Sequence, residues 1–248
     1  MTVDGLRVGA VIPARDEQDN IAVVVHDLRA LRNPDGGPLL DDIVVCDNGS
    51  TDATGQRARA AGARVVCEPT PGYGIACLTA IAALQDVDLV LFVDGDQAFD
   101  VRQATRLLDP IGEGADLVIG SRVLGRMQAG ALSLPQIVGN RVAGALISLL
   151  WRQRVTDLGP FRVIRRAALA DLQMQDQTYG WTVEMQIKAI QRKMRVAEVP
   201  VDSRRRPHGK SKVGGTVKGV VGASIGILGM ILKLVLRPVS ARQPRSET

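Results

Sequence analysis

Acidic residues collect where apolar runs end. Val8-Gly9-Ala10-Val11-Ile12 is followed by Asp16 and Glu17, Asp42–Cys46 by Asp47 and Asp52, and Leu89–Val93 by Asp94 and Asp96. One such acid is ordinarily a turn or helix-cap residue. Three successive runs that each deliver a carboxylate at the same end have chemical content. Asp94-Gly95-Asp96 is the sharpest piece. Two carboxylates with glycine between them can face one divalent cation while the backbone turns tightly. A hard cation held by so few protein oxygens takes its other ligands from water and substrate phosphates. Asp86-Val87-Asp88 has the same spacing but does not follow a buried run, so only Asp94 and Asp96 are metal candidates.

The opposite charge is gathered elsewhere. Between residues 192 and 218 nine lysines and arginines stand against Glu198 and Asp202, in a chain whose net charge is only +5. A basic block in an otherwise slightly acidic chain suits a phosphate-bearing partner or an anionic membrane surface. The histidines, His26 on a helix and His208 in the basic loop, are poorly placed for catalysis. Asp157 and Glu184 are the best base candidates if a hydroxyl must be deprotonated.

These residues need a scaffold. Strand patterns at Val8–Ile12, Asp42–Cys46, Ala63–Cys67, Leu89–Val93 and Asp116–Ile119 alternate with helical spacing at Ile21–Leu31, Asp52–Ala61, Ile75–Gln85 and Val101–Leu108. That alternation predicts βαβ units and a mostly parallel sheet, whose ligands bind beyond the carboxyl ends of the strands. The last third differs. Pro135 opens a long apolar helix to Trp151, Phe161–Ile164 reads as a strand, Trp181–Lys193 as a helix and Val196–Val201 as a strand. Gly219–Leu232 is fourteen residues without charge between Lys218 and Lys233. That is short of the roughly 18–20 needed to cross a bilayer, and predicts an interfacial helix, a buried helix or a subunit contact.

The composition is that of a folded protein: 248 residues, 46% hydrophobic, 23% charged. It excludes a disordered tail, a collagen-like fibre and a disulfide scaffold. Aromatics at 3% argue against a base-stacking nucleic-acid platform. Cys46, Cys67 and Cys77 form no C-x-x-C pair and read as reduced thiols. Charged residues interrupt the first apolar run, so no signal peptide is expected.

Taken in order, Val11-Ile12-Pro13-Ala14-Arg15-Asp16-Glu17, Cys46-Asp47-Asn48-Gly49-Ser50-Thr51-Asp52 and Val93-Asp94-Gly95-Asp96 resemble glycosyltransferase family 2, of the GT-A fold. Thr156-Asp157-Leu158-Gly159-Pro160-Phe161-Arg162, Tyr179-Gly180-Trp181-Thr182-Val183-Glu184-Met185 and Val199-Pro200-Val201 with Arg206, Gly209, Ser211 and Lys212 are similar to its dolichol-phosphate mannosyltransferase or polyprenyl-phosphate branch. The resemblance implies an α/β, Rossmann-like sheet as a catalytic domain over residues 1–212. Residues 213–248 would follow as a membrane-associating or interface helix with a basic tail. It implies inverting transfer of a hexose from a GDP- or UDP-sugar to a polyprenyl phosphate, with Mg²⁺ or Mn²⁺ at Asp94 and Asp96. Pro13, Arg15 and Glu17 would line the nucleoside, Asp47 and Asn48 the base. Asp94, Gly95 and Arg122 would meet the donor's sugar and phosphates. Asp96, Asp157, Arg206 and Lys212 would carry catalysis. Arg141, Arg206, Ser211 and Lys212 would take the acceptor phosphate. The expected setting is the cytoplasmic face of a membrane, peripherally bound, with no nucleic acid and with a homo-oligomer possible through the C-terminal helix. The alternatives are a hydroxyl acceptor, a nucleotidyltransferase, which resembles a glycine-rich loop where Pro13–Glu17 stands, and a membrane adaptor with a dead site.

Overall fold

The computed structural model describes residues 5–209 and 217–238. Among them are seven strands: β1 (Val8–Ala14), β2 (Asp42–Asp47), β3 (Arg64–Cys67), β4 (Leu89–Phe92), β5 (Leu117–Ser121), β6 (Arg162–Arg165) and β7 (Val196–Pro200). The helices are α1 (Ile21–Arg29), α2 (Thr54–Ala60), α3 (Tyr73–Ala83), α4 (Ala104–Gly112), α5 (Leu134–Trp151), α6 (Arg166–Leu172), α7 (Trp181–Gln191) and α8 (Val217–Leu236). One sheet has the order β3-β2-β1-β4-β6-β5-β7. All its pairings are parallel except the two made by β6, which runs antiparallel to β4 and to β5. The strand order reverses beside β1, so the ends of β1 and β4 border the crevice where such sheets bind ligands.

Alternating residues build the two faces. Val8, Ala10 and Ile12 of β1, with Leu89 and Leu91 of β4, pack with Val24 and Leu28 of α1 and Leu107 and Ile111 of α4. Val11, Val90 and Phe92 point the other way, to Ala76 and Ala80 of α3, Leu172 of α6 and Trp181 and Met185 of α7. Runs buried on both sides are what a covered parallel sheet requires. A third cluster lies outside this sandwich. Val183, Ile187 and Ile190 of α7 meet Ala143 and Ile147 of α5 and Met230, Ile231 and Leu234 of α8. Helix α7 is thus buried on two sides, by the sheet and by the α5/α8 pair.

Three details depart from the sequence reading. Helix α3 begins at Tyr73, two residues before the Ile75 from which the spacing predicts it. Helix α6 follows β6 with no loop between them, and its seven residues carry too little periodicity to be read in advance. Helix α8 runs twenty residues, because Lys233 is a good helix former and stays exposed, so the helix passes through it to Leu236. Its stretch Gly219–Leu236 is long and apolar enough to cross a membrane by length and composition, which overturns the expectation that it is too short.

Trp181 is fully buried, with its ring 6.3 Å from that of Phe92 at 59°. It ties α7 to the central strand. Trp181→Ala should cost about 3–5 kcal/mol, the scale for deleting a large buried ring. Chemical denaturation checks this; a midpoint within error of the parent would mean the α7 docking depends on other contacts.

Candidate active site

The turn after β1 is fixed by its own acids. Asp16 adopts φ 47°. Its N–H donates to Ser50 Oγ (3.0 Å) and its Oδ1 accepts from the Thr51 N–H (2.8 Å). The Glu17 N–H donates to Thr54 Oγ1 (2.7 Å), and Glu17 Oε2 accepts from Asn20 Nδ2 (2.7 Å). These bonds hold the end of β1 against the start of α2 and leave Glu17 buried.

After β4 the chain turns through Asp94-Gly95-Asp96. A Cβ on Gly95 would press on Ile21 and Ala14, so the turn lies flat against β1 and α1. Asp96 is buried. Its Oδ1 accepts from the Ala98 N–H (2.9 Å) and its Oδ2 pairs with Arg206 Nη2. Arg206 also reaches Glu17 Oε1 through Nη1 (3.3 Å). The basic loop therefore sits on the acidic edge, with one guanidinium bridging carboxylates from two strands. Its placement is supported nearby: the Arg204 N–H donates to the Ala98 carbonyl (2.9 Å), Arg204 Nε to the Gln97 carbonyl (3.0 Å), and Asn20 Nδ2 to the His208 carbonyl (3.2 Å).

Asp94 accepts from the Tyr73 hydroxyl at 3.1 Å. Burial, and then the charge of Asp96, push its carboxyl up to about 7, against the opposing pull of Tyr73, Arg206 and Arg122. A desolvated carboxylate beside a second one is a state that a bound cation relieves. Two hard oxygen donors on one tight turn fit Mg²⁺ or Mn²⁺, completed by phosphate oxygens. Among the described residues no group of three or more His, Cys, Asp and Glu could hold an ion unaided.

Arg122 stands on the neighbouring side. Its Nε and Nη2 meet Asp157 Oδ2 and Oδ1 at 2.8 and 2.6 Å, and its N–H adds a third bond to Oδ2 (2.7 Å). Asp157 is completely buried. Both its oxygens are engaged, so it orients Arg122 and is not poised as a base. Glu184, the other base candidate, is equally committed. It accepts from the Gln175 and Asp176 N–H groups (3.1 and 2.7 Å) and pairs with Lys188 at 2.7 Å. Neither carboxylate is hydrogen-bonded to Arg162. Arg162, fully buried, donates instead to the carbonyls of Gly159 (3.1 Å from Nε), Leu158 (3.3 Å) and Thr182 (3.0 Å). Burial pushes its guanidinium down to about 10. It locks the Leu158-Gly159-Pro160 segment to the start of α7.

The remaining candidates divide. Asn48 has its side chain spent on the wall of the site: Nδ2 donates to the Glu68 and Thr70 carbonyls (3.0 and 2.7 Å) and Oδ1 accepts from the Gly72 N–H (2.9 Å). The base contact expected of that side chain is replaced by this scaffolding. Asp47 Oδ1 caps the turn through the Ser50 N–H (3.0 Å). Pro13 ends β1 in a half-buried position, and Arg15 is exposed beside Asp16. Arg141 is exposed on α5, about 140° round the helix from Gln136, which lines the cleft described below. The structure does not bring Arg141 to the site. Ser211 and Lys212 lie outside the described residues.

A cleft of about 650 Å³ opens beside Arg206. It is lined by Ala98, Gln128, Leu132, Ser133, Gln136 and Arg205, among others, between the basic loop and the first turn of α5. Tyr73 was not singled out from the sequence, and Arg162 stood only at the end of a motif, without a role. A glycine-flanked tyrosine reads as a turn, and the one available signal for Arg162 was a charge inside an apolar strand.

The family model for Glycosyl transferase family 2 matches residues 10–173. The chain belongs to that family. It is 35% identical to an uncharacterized glycosyltransferase of Mycobacterium tuberculosis over 88% of this chain and 94% of that one. It is 34% identical to a dolichyl-phosphate hexose transferase of Haloferax volcanii, over 73% of this chain and 78% of the relative. Among solved structures, glucosyl-3-phosphoglycerate synthase from M. tuberculosis in complex with Mn²⁺, UDP and phosphoglyceric acid superposes with a TM-score of 0.73 at 25% identity, covering 95% of this chain and 81% of that one. This family 2 member is a nucleotide-sugar-dependent glycosyltransferase.

With the Asp94 carboxyl near 7, its proton competes with a cation as pH falls. Mn²⁺ affinity of the protein should hold above pH 7.5 and fall by up to about tenfold per unit below pH 7. Tyr73→Phe removes a donor to the carboxylate and should move that midpoint up by about half a pH unit to one. Mn²⁺ titration by electron paramagnetic resonance reads both; an affinity flat from pH 6 to 8 would remove Asp94 from the ion.

Proposed function

We propose that this family 2 glycosyltransferase moves a hexose from a GDP- or UDP-sugar onto a polyprenyl phosphate at the cytoplasmic face of a membrane. One observation carries the reading. Among the described residues, the cleft beside Asp96 and Arg206 is lined by two arginines and by no carboxylate or histidine. A hydroxyl acceptor would need a base there, and Asp157 and Glu184 are occupied elsewhere. A phosphate monoester is already an anion near pH 7, so it needs cations and apolar neighbours such as Leu132 and Ala131 rather than a base. The similarity to the Haloferax dolichyl-phosphate hexose transferase supports the same acceptor class.

The chemistry follows from charge. A phosphate oxygen of the acceptor forms a bond to the anomeric carbon as the bond to the donor diphosphate breaks, with inversion. The electron pair stays on the leaving diphosphate. A divalent ion held by Asp94 and Asp96 would neutralise part of that charge when bound. Arg122, held in orientation by Asp157, and Arg206, carried on the basic loop, supply fixed cations that need no reorganisation as the charge develops. Glu17 and the turn at Asp47 wall the nucleoside side.

A second reading has specific support. The structural relative solved with phosphoglyceric acid makes a small phosphorylated acceptor the rival. Incubating the protein and Mn²⁺ or Mg²⁺ with a panel of UDP- and GDP-sugars, and either a short polyprenyl phosphate or 3-phosphoglycerate, separates the two. A labelled, organic-extractable glycosyl phosphate is expected; transfer only to 3-phosphoglycerate would overturn the lipid acceptor. Asp96→Asn should remove most turnover, and Arg206→Ala should lower it by roughly two to three decades with nucleotide affinity little changed. An Arg206→Ala enzyme of parental turnover would take the basic loop out of the reaction.

A further inference from the structure

The α5/α8 pair shows the solvent a side that its neighbours do not explain. On α5, Leu134, Val138, Val142 and Leu149 are exposed, Leu134 to 77%. On α8, Val221, Ile225, Leu228, Leu232 and Val235 are exposed, Ile225 to 67%. They recur at steps of four, four and seven on α5 and of three and four on α8, which places each set on one stripe. The opposite sides of both helices are buried in the cluster with α7. Two apolar stripes therefore stand outward on a mount fixed to the catalytic core.

Charge decides what meets them. Residues 134–156 contain Arg141, Arg152 and Arg154 and no acid; residues 217–238 contain Lys218, Lys233 and Arg237 and no acid. Arg141, Arg152, Arg154, Lys233 and Arg237 are exposed. A second copy of the chain meeting this face about a two-fold axis would set the same cations against themselves, with no carboxylate in either helix to answer them. An anionic lipid surface answers both features: acyl chains receive the stripes and head groups receive the cations.

We infer that the outward face of α5 and α8 is a docking surface for an anionic bilayer, with both helices lying in the plane of the membrane. Length alone would let α8 cross a bilayer, but α8 buries Ala223, Met230, Ile231 and Leu234, and Gln191 Nε2 donates to the Leu234 carbonyl at 2.9 Å. Withdrawing α8 would strip Val183, Ile187 and Ile190 of their cover. In-plane docking keeps those contacts. The use of the surface, bringing a membrane-borne acceptor to the cleft where α5 begins, rests on the lipid-phosphate reading above; the surface itself does not.

The test is co-sedimentation of the full chain with phosphatidylcholine vesicles, with and without about 30% phosphatidylglycerol, scored without turnover. Binding should need the anionic lipid and should weaken about tenfold or more in 0.5 M salt. Val138→Glu and Ile225→Glu change exposed positions outside the site. Each should lower vesicle binding by about tenfold or more while leaving the melting temperature and turnover on a short water-soluble acceptor unchanged. Vesicle binding untouched by both substitutions would overturn the inference. So would light scattering showing a parental dimer that the substitutions split, or a protein that resists carbonate extraction. Anionic vesicle binding lost in both variants, with no transfer to any polyprenyl phosphate, would keep the surface and reject the acceptor. Transfer to polyprenyl phosphate by a protein that ignores vesicles would do the reverse.

Discussion

The arrangement depends on a guanidinium set between two carboxylates. Arg206 touches Asp96 from β4 and Glu17 from the end of β1, and its loop is sewn to the same two regions through Arg204 and His208. Strands that converge with acids at one edge repel there, and burial raises the penalty. The chain answers with a cation from far along the sequence. This is why the basic loop has a defined place, and why the cleft opens beside it.

Each remaining charged group near the edge is tied down by a buried partner. Asp157 holds Arg122 by a bidentate pair, Glu184 holds the 175–176 backbone and Lys188, and Arg162 is capped by three carbonyls. Such groups are costly to bury alone and rigid when paired. Asp157, Glu184 and Arg162 are thereby spent on orientation rather than on proton transfer.

Much of the sheet was legible because its strands are buried on both faces: Leu89–Phe92 and Val8–Ile12 are continuous apolar runs, and the acids that follow them mark the carboxyl edge. The order β4-β6-β5 was not legible, since nothing in Phe161–Ile164 states that it enters the sheet antiparallel between two strands. Side-chain direction was the other gap. Asn48, Asp157 and Glu184 have the right types for chemistry, yet each is consumed by a partner distant in sequence. Arg141 sits on a helix that reaches the cleft, but five residues of rotation turn it away. Tyr73 was hidden because a tyrosine between glycines says turn, while its hydroxyl lands on Asp94 only once α3 is docked.

The clasp between Arg122 and Asp157 has a mechanical side. The two residues lie 35 apart in sequence, and between them the chain leaves the sheet, builds α5 and returns. That whole excursion is closed at its neck by the buried ion pair and, beside it, by the Ser121–Thr156 hydroxyl contact (2.7 Å). The returning segment is also fastened to α5 itself, because Asn140 Oδ1 accepts from the Leu158 N–H (3.0 Å), one residue beyond Asp157. The helix with the outward apolar stripe and the guanidinium of Arg122 are thus moored to one and the same piece of chain.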